Sequence, residues 1–383
     1  MGREDVLDPA NVETNRVGSF NEWDPLEEVI VGRVDGAAWP DWNVVDERSV
    51  SAETHRAVSA QRGHWRLYPS AVISAAQACL DEFVRILEGE GVRVRRPDPF
   101  PFERPFETPH WRLANGFCSA NPRDVILPVG TTFLECPMAH RGRYFEQFPY
   151  RALMKEMMGR GALWVSAPRP ELTEALYDNA YTYPEGAPEA FDDDWARVDP
   201  DEIAFVTTEF EPVFDAADFV RCGRDIYGQR SHVTNHAGIA WLRRFLEPDY
   251  RVHLIPSRCA GAYHIDTTFL PLAPGKALVS PNFVDRARLP ETLKRWDILE
   301  APAPRSTPVE LAGWMTDWIS INVLSLDDRR IIVEREQEDL IRALKNWGFE
   351  PIPCTFKYHY PFLGSFHCAT LDVYRRGRLE DYS

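Results

Sequence analysis

Five short polar clusters in this chain carry residue types that can do chemistry together: Pro122-Arg123-Asp124, Asp215-Ala216-Ala217-Asp218, His264-Ile265-Asp266, Trp318-Ile319-Ser320 and Phe366-His367-Cys368. Each stands at or just before a β-rich run. If those runs surround an axis, one thiol, one imidazole and three or four carboxylates share a cavity, where perturbed proton affinities are expected. A nucleophilic Cys needs its thiolate, which a nearby imidazolium stabilises, and a carboxylate must orient the imidazole. Cys368, His264 and Asp215 fit those three roles. Leu363-Gly364-Ser365 is a flexible approach that lets backbone come close to a ligand. His264 and Asp266 are two apart on an expected strand and so face one side. Several carboxylates around one thiol suit a planar cation such as a guanidinium, which they bind in bidentate fashion. The same clustering suits a divalent metal less well, because no HExxH or His/Cys ligand set is present. Each cluster also has a bland reading: a buried small Cys, a satisfied interior His, and a plain Arg123–Asp124 ion pair.

The elements that must position these residues recur in degenerate form. Paired β-rich runs with a turn signal between them occupy residues 125–136 (VILPVGTTFLEC), 219–229 (FVRCGRDIYGQ), 268–280 (TFLPLAPGKALVS) and 322–334 (NVLSLDDRRIIVE), which is hairpin grammar. Helical stretches are expected at 71–88, 145–159, 235–245, 289–296 and 337–347, each followed by a short strand. The run 369–375 lacks a following partner, and the run 28–34 lacks a preceding one. Pairing them across the termini closes a fifth module and removes exposed sheet edges. An ordinary α/β sheet covered on both faces is the alternative. Residues 181–202, rich in Pro, Gly and Asp, read as an exposed, mobile excursion. Residues 1–18 read as a mobile N-terminal extension and 19–383 as one domain.

Composition narrows the class. The 383 residues carry a formal charge of −16, a field that repels phosphate backbones and anionic lipid, so neither nucleic acid nor membrane is an expected partner. No apolar run is long enough to span a bilayer, and the start lacks a signal-peptide apolar region. Seven scattered cysteines without a CxxC speak against a disulfide framework or a structural zinc site. A reduced, cytoplasmic enzyme without metal or cofactor is the expectation.

The segments NEWDPLEEVIVG (21–32), FEPVFDAADFVRCGRD (210–225) and Phe366-His367-Cys368 resemble the amidinotransferase family, which includes arginine:glycine and inosamine-phosphate enzymes. YPFLGSFHCATLDV (360–373) is most similar to the enzymes of guanidine-containing toxin pathways. The resemblance runs from about Asn21 to Tyr382. It implies an α/β fold of the five-bladed pseudo-symmetric propeller type, built of ββαβ modules, and ping-pong transfer of an amidino group from L-arginine to a small amine, glycine by default. It further implies Cys368 as nucleophile, His264 as acid/base, Asp215 as its orienting carboxylate, and Asp124 and Asp266 as the guanidinium clamp. Arg123, Tyr263 and Ser365 complete the candidate substrate-binding set. Related enzymes imply a homodimer. The chain departs from the family pattern at Cys118, Tyr263, Phe283 and Met315-Thr316. Some members carry an Arg for the substrate carboxylate at the position of Phe283, and Arg286 or Arg288 is the candidate replacement. The alternatives are a guanidine hydrolase of the arginine deiminase kind and a non-catalytic binding protein on the same fold.

Overall fold

The computed structural model describes residues 16–40, 42–62, 66–185, 187, 195, 198–259, 261, 263–309 and 315–383. Among them are five three-stranded sheets of one design, in which an antiparallel pair is extended by a parallel third strand. Ile126–Val129 pairs with Thr132–Glu135, which pairs in parallel with Leu163–Ser166. The same holds for Phe219–Cys222, Asp225–Gly228 and Arg251–Leu254. It holds again for Phe269–Ala273, Lys276–Val279 and Asp297–Glu300, and for Leu324–Ser325, Arg330–Glu334 and Glu350–Cys354. The fifth sheet joins the two ends of the chain: Leu26–Val31 lies antiparallel to Thr370–Arg375 and parallel to Arg93–Arg95.

Parallel third strands need a crossover, and four of the five crossovers contain an α-helix. These are Ser70–Gly89, Arg151–Gly159, His236–Leu246 and Glu338–Asn346. Ser70–Gly89 buries Ala76, Cys79, Leu80, Phe83 and Leu87 at spacings of three and four, the stripe that an amphipathic helix must cover. The helix expected at 289–296 is absent. Pro290 and the short spacing leave only the 3₁₀ turn Glu291–Leu293.

Two other expectations change. Residues 1–15 of the expected mobile extension lie outside the described residues, but Gly18 is already tied to the last strand by hydrogen bonds with Val373 and Arg375. Part of the 181–202 excursion also lies outside them, yet its described Trp195 is fully buried and Tyr181 nearly so, because their rings find core partners. No helix among the described residues is long and apolar enough to cross a membrane. All seven cysteines are free and buried.

A buried charge cluster locks the junction of the termini. Arg221 reaches Glu22 and Asp372, both at 2.6 Å. Arg123 reaches Glu22 at 3.3 Å and Asp372 at 3.0 Å, and Arg375 reaches Asp372 at 2.7 Å. Burial alone would raise both carboxyls. Arg221 and Arg123 outweigh it at Glu22, and Arg375, Arg123 and Arg221 outweigh it at Asp372, so both groups sit well below the usual carboxylate range. Their contribution to stability is therefore present at neutral pH and is lost as pH falls through the ordinary carboxylate values toward the folded ones. Arg221→Met leaves two buried carboxylates short of a partner and is expected to lower the free energy of unfolding by about 3–5 kcal/mol. Denaturant titration reads this, and a loss under about 1 kcal/mol would show the cluster to be dispensable.

Candidate active site

The polar clusters converge because each precedes the first strand of a sheet, often in a single tight turn. Asp124 lies in Pro122–Val125, started by a Pro whose missing N–H costs nothing at that position. Asp215 and His264 are the residues leading into the 3₁₀ turns Ala216–Asp218 and Ile265–Thr267. His264 and Asp266 thus stand at a turn before strand Phe269–Ala273, not within a strand as expected. Gly364 permits the approach of the Cys368 segment: a Cβ there would sit 2.4 Å from Asn121 Oδ1 and 2.8 Å from Cys368 Cβ.

Around Cys368 is a cavity of about 150 Å³, lined by His264, Asp215, Asp266, Arg143 and Tyr263 among others. One oxygen of Asp124, one ring nitrogen of His264 and Cys368 Sγ lie within 4.8 Å of one another. His264 Nε2 is 3.0 Å from Asp215 Oδ2, and its Nδ1 is 3.7 Å from Asp124 Oδ1. Burial opposes charge on that ring, but Asp124 and Asp215 outweigh it and raise its pKa to about 10. The ring is therefore an imidazolium at neutral pH. The same three groups are the set that could reach a divalent cation, whose binding would have to displace the His264 and Cys368 protons.

Cys368 is set by its neighbours in the opposite sense to a free thiolate. Burial, then Asp266 and Asp124, push its thiol well above the ordinary value, while the Ser365 backbone N–H works the other way. Sγ donates toward Asp266 Oδ2 at 3.3 Å and accepts from Asn322 Nδ2 at 3.2 Å. Asp266 Oδ2 is also 2.8 Å from His367 Nδ1, whose Nε2 faces Glu22 at 3.2 Å. Burial would raise Asp266, but the bond from His367 and the charge of His264 bring it below the usual range. Asp124, Asp215 and Asp266 each keep one buried oxygen without a hydrogen-bond partner. Buried orphan acceptors are costly, and three of them on carboxylates gathered around His264 and Cys368 mark a place for a cationic donor-rich ligand.

Not every expected residue is in the cavity wall. Asp124 lies outside the lining set, although one of its oxygens is within 4.8 Å of Cys368 Sγ and a His264 ring nitrogen. Arg123 neither pairs with Asp124 nor lines the cavity: it donates to His367 O, Glu22 and Asp372, because those acceptors lie on its own side of the turn. Ser365 is buried beneath the site, contributing backbone rather than a lining side chain. Tyr263 does line the cavity, its hydroxyl 2.7 Å from Ser49 Oγ. Phe283, Met315 and Thr316 line it too, whereas Arg288 is occupied with Asp199 and Asp201 away from it, and Arg286 is exposed.

Two participants were missed in the sequence. Arg143 donates to Asp124 at 2.8 Å and to Asp215 at 3.5 Å, with Glu146 at 2.9 Å behind it. It lies in the run Arg141-Gly142-Arg143, where no motif distinguishes it. Asn322 Oδ1 accepts from the backbone N–H groups of His367 and Cys368 and so fixes the turn that carries the thiol. Its place at the head of the run 322–334 was the one signal available. Because His264 owes its charge to Asp124 and Asp215, Asp215→Asn should move its titration from about 10 to lower pH, visible by imidazole NMR. An unchanged titration would refute that source.

A scan against models of protein families finds no match. Among curated proteins, the chain is 44% identical over 371 residues to the L-arginine:L-lysine amidinotransferase of Pseudomonas savastanoi pv. phaseolicola, covering 97% of this chain and 98% of that one. It is 40% identical to the mitochondrial glycine amidinotransferase of Gallus gallus, covering 96% of this chain and 84% of that one. Among solved structures, an amidinotransferase of the saxitoxin biosynthetic pathway from Microseira wollei matches with a TM-score of 0.89 at 51% identity, covering 96% of this chain and 99% of that one. With such identity along nearly its whole length, the chain belongs to the amidinotransferase family and is an enzyme that transfers amidino groups.

Proposed function

We propose that the enzyme takes the amidino group of L-arginine onto Cys368 and passes it to a small amine in a ping-pong reaction, within one cytoplasmic catalytic domain spanning 19–383. In this reading the five sheets are the blades of a closed α/β-propeller whose axis passes through the cavity. The observation that carries the proposal is the meeting of a buried thiol, a stable imidazolium and three carboxylates with orphan oxygens.

Each group has work in the two half-reactions. The guanidinium binds against Asp124 and Asp266, the two carboxylates that hold the Cys368 thiol protonated. Its positive charge offsets theirs, so donor binding itself eases release of the thiol proton to solvent, since His264 is already protonated. The thiolate adds to the guanidino carbon, and His264 gives its proton to the departing nitrogen of ornithine. Asp215 and Arg143 keep the ring and its neighbour carboxylates in register. His264, now neutral, removes a proton from the acceptor amine, which attacks the amidino carbon and releases Cys368. Tyr263 narrows the acceptor side, in keeping with a small amine. With glycine the product is guanidinoacetate, and the likeness to a saxitoxin-pathway enzyme supports a role in specialised-metabolite biosynthesis.

Arginine alone should add one amidino group to the intact protein, mapped to Cys368 by mass spectrometry, with one ornithine released per site. Cys368→Ala should lose the adduct and slow transfer by roughly 10⁴-fold or more; undiminished turnover would sink the assignment. Since the free enzyme holds the thiol well above neutrality, kcat/KM for arginine should climb with pH by about tenfold per unit between about pH 7 and 9. A flat profile there would mean that the resting pair is already thiolate and imidazolium.

A further inference from the structure

One part of the cavity wall has no place in that chemistry. Residues 39–40 and 42–50 follow the first strand and supply Trp39, Pro40, Trp42, Asp46 and Val50 to the lining. Within them Val44–Arg48 forms a short helix, capped by Asn43 Oδ1 accepting from Val45 N–H. Two hydrogen bonds run from this segment to the opposite wall. His140 Nδ1 accepts from Gly142 N–H, which leaves the ring proton on Nε2, and Nε2 donates to Asp46 Oδ2 at 2.8 Å. Ser49 Oγ meets Tyr263 Oη at 2.7 Å, one residue before His264. Both His140 and Tyr263 line the cavity.

The attachment of the segment does not depend on these two bonds. Val45 is fully buried in an apolar cluster with Trp111, Leu176 and Val206, against which Tyr263 also packs, and Arg48 donates to the carbonyls of Asn179 and Tyr181 at 2.6 and 2.5 Å. The bonds are thus closures at the cavity edge on an element held elsewhere. Inside them the lining is largely apolar (Trp39, Trp42, Val50, Phe117, Phe283), and such a surface offers water few partners.

We propose that the Asp46–His140 and Ser49–Tyr263 bonds latch this segment over Cys368 and thereby decide that the amidino group leaves to an amine and not to water. The inference rests on the covalent transfer reading above. The competing step is balanced without any further reagent: water adds to the amidino carbon, the C–S bond breaks with its electron pair returning to sulfur, and the cationic adduct plus water gives the free Cys368 thiol, neutral urea and one proton. Keeping water out during the interval between ornithine release and acceptor entry is what separates transferase from hydrolase.

The test uses the full chain with arginine alone and then with arginine and glycine. Wild-type enzyme should release ornithine once per site and form urea only slowly. The Asp46→Ala/Ser49→Ala double variant should keep the ornithine burst but continue turning over, with urea rising in step and its rate up by roughly tenfold or more, as expected for the loss of two ordinary hydrogen bonds. Ser49→Thr, which keeps the hydroxyl, should stay near wild type. Urea at the wild-type rate in the double variant would overturn the proposal. Loss of the burst in both the double variant and Ser49→Ala alone would overturn it too, since the bonds would then serve folding or donor binding. Failure of the underlying transfer reading looks different: wild-type enzyme itself would give citrulline, steady urea, or no ornithine at all.

Discussion

The structure depends on a buried cluster of charges at the place where the two ends of the chain meet. Glu22 and Asp372 each touch two or more guanidinium groups, and Arg123, Arg221 and Arg375 have almost no solvent exposure. A charge taken out of water is tolerable only when paired and hydrogen-bonded, so no member can move without stranding another. The cluster therefore fixes Leu26–Val31 against Thr370–Arg375 more strictly than an apolar contact would, since apolar contacts tolerate sliding and repacking.

The constraint passes directly into the cavity through His367. One ring nitrogen faces Glu22 of the cluster and the other faces Asp266 beside Cys368. Cys368 follows His367 in sequence, and Asn322 holds both backbone N–H groups. Closure of the fold and placement of the thiol are in this way one event. Burial, Asp266 and Asp124 together hold the Cys368 thiol well above its ordinary value, which protects a buried Cys from reacting prematurely.

The comparison of Arg123 with Arg143 shows why sequence order alone misleads inside such a site. Arg123 is adjacent to Asp124, and pairing them is the natural local reading. In the folded chain Arg123 turns to Asp372, 249 residues away, and Asp124 takes Arg143 instead. Neighbours on a tight turn point apart, whereas residues on separate turns point together. The buried Trp195 teaches the same lesson, because an acidic, Pro-rich surrounding masked a core side chain.

The sequence by itself determined what local chemistry and periodicity can encode. Hairpin runs, the amphipathic Ser70–Gly89 helix, the unpaired strands at the two ends and the polar clusters ahead of each sheet were all legible, as was Cys368 as the exceptional thiol. The family likeness was legible in three segments. Only the tertiary structure decided which carboxylate each cation meets, that Asn322 meets Cys368 and Arg143 lines its cavity, that Arg123 does neither, and that Trp42, Asp46 and Val50 line it as well. The reason is physical: those contacts join residues far apart in the chain through single hydrogen bonds, which leave no period or motif behind. Burial then converts each of them from a weak preference into a requirement.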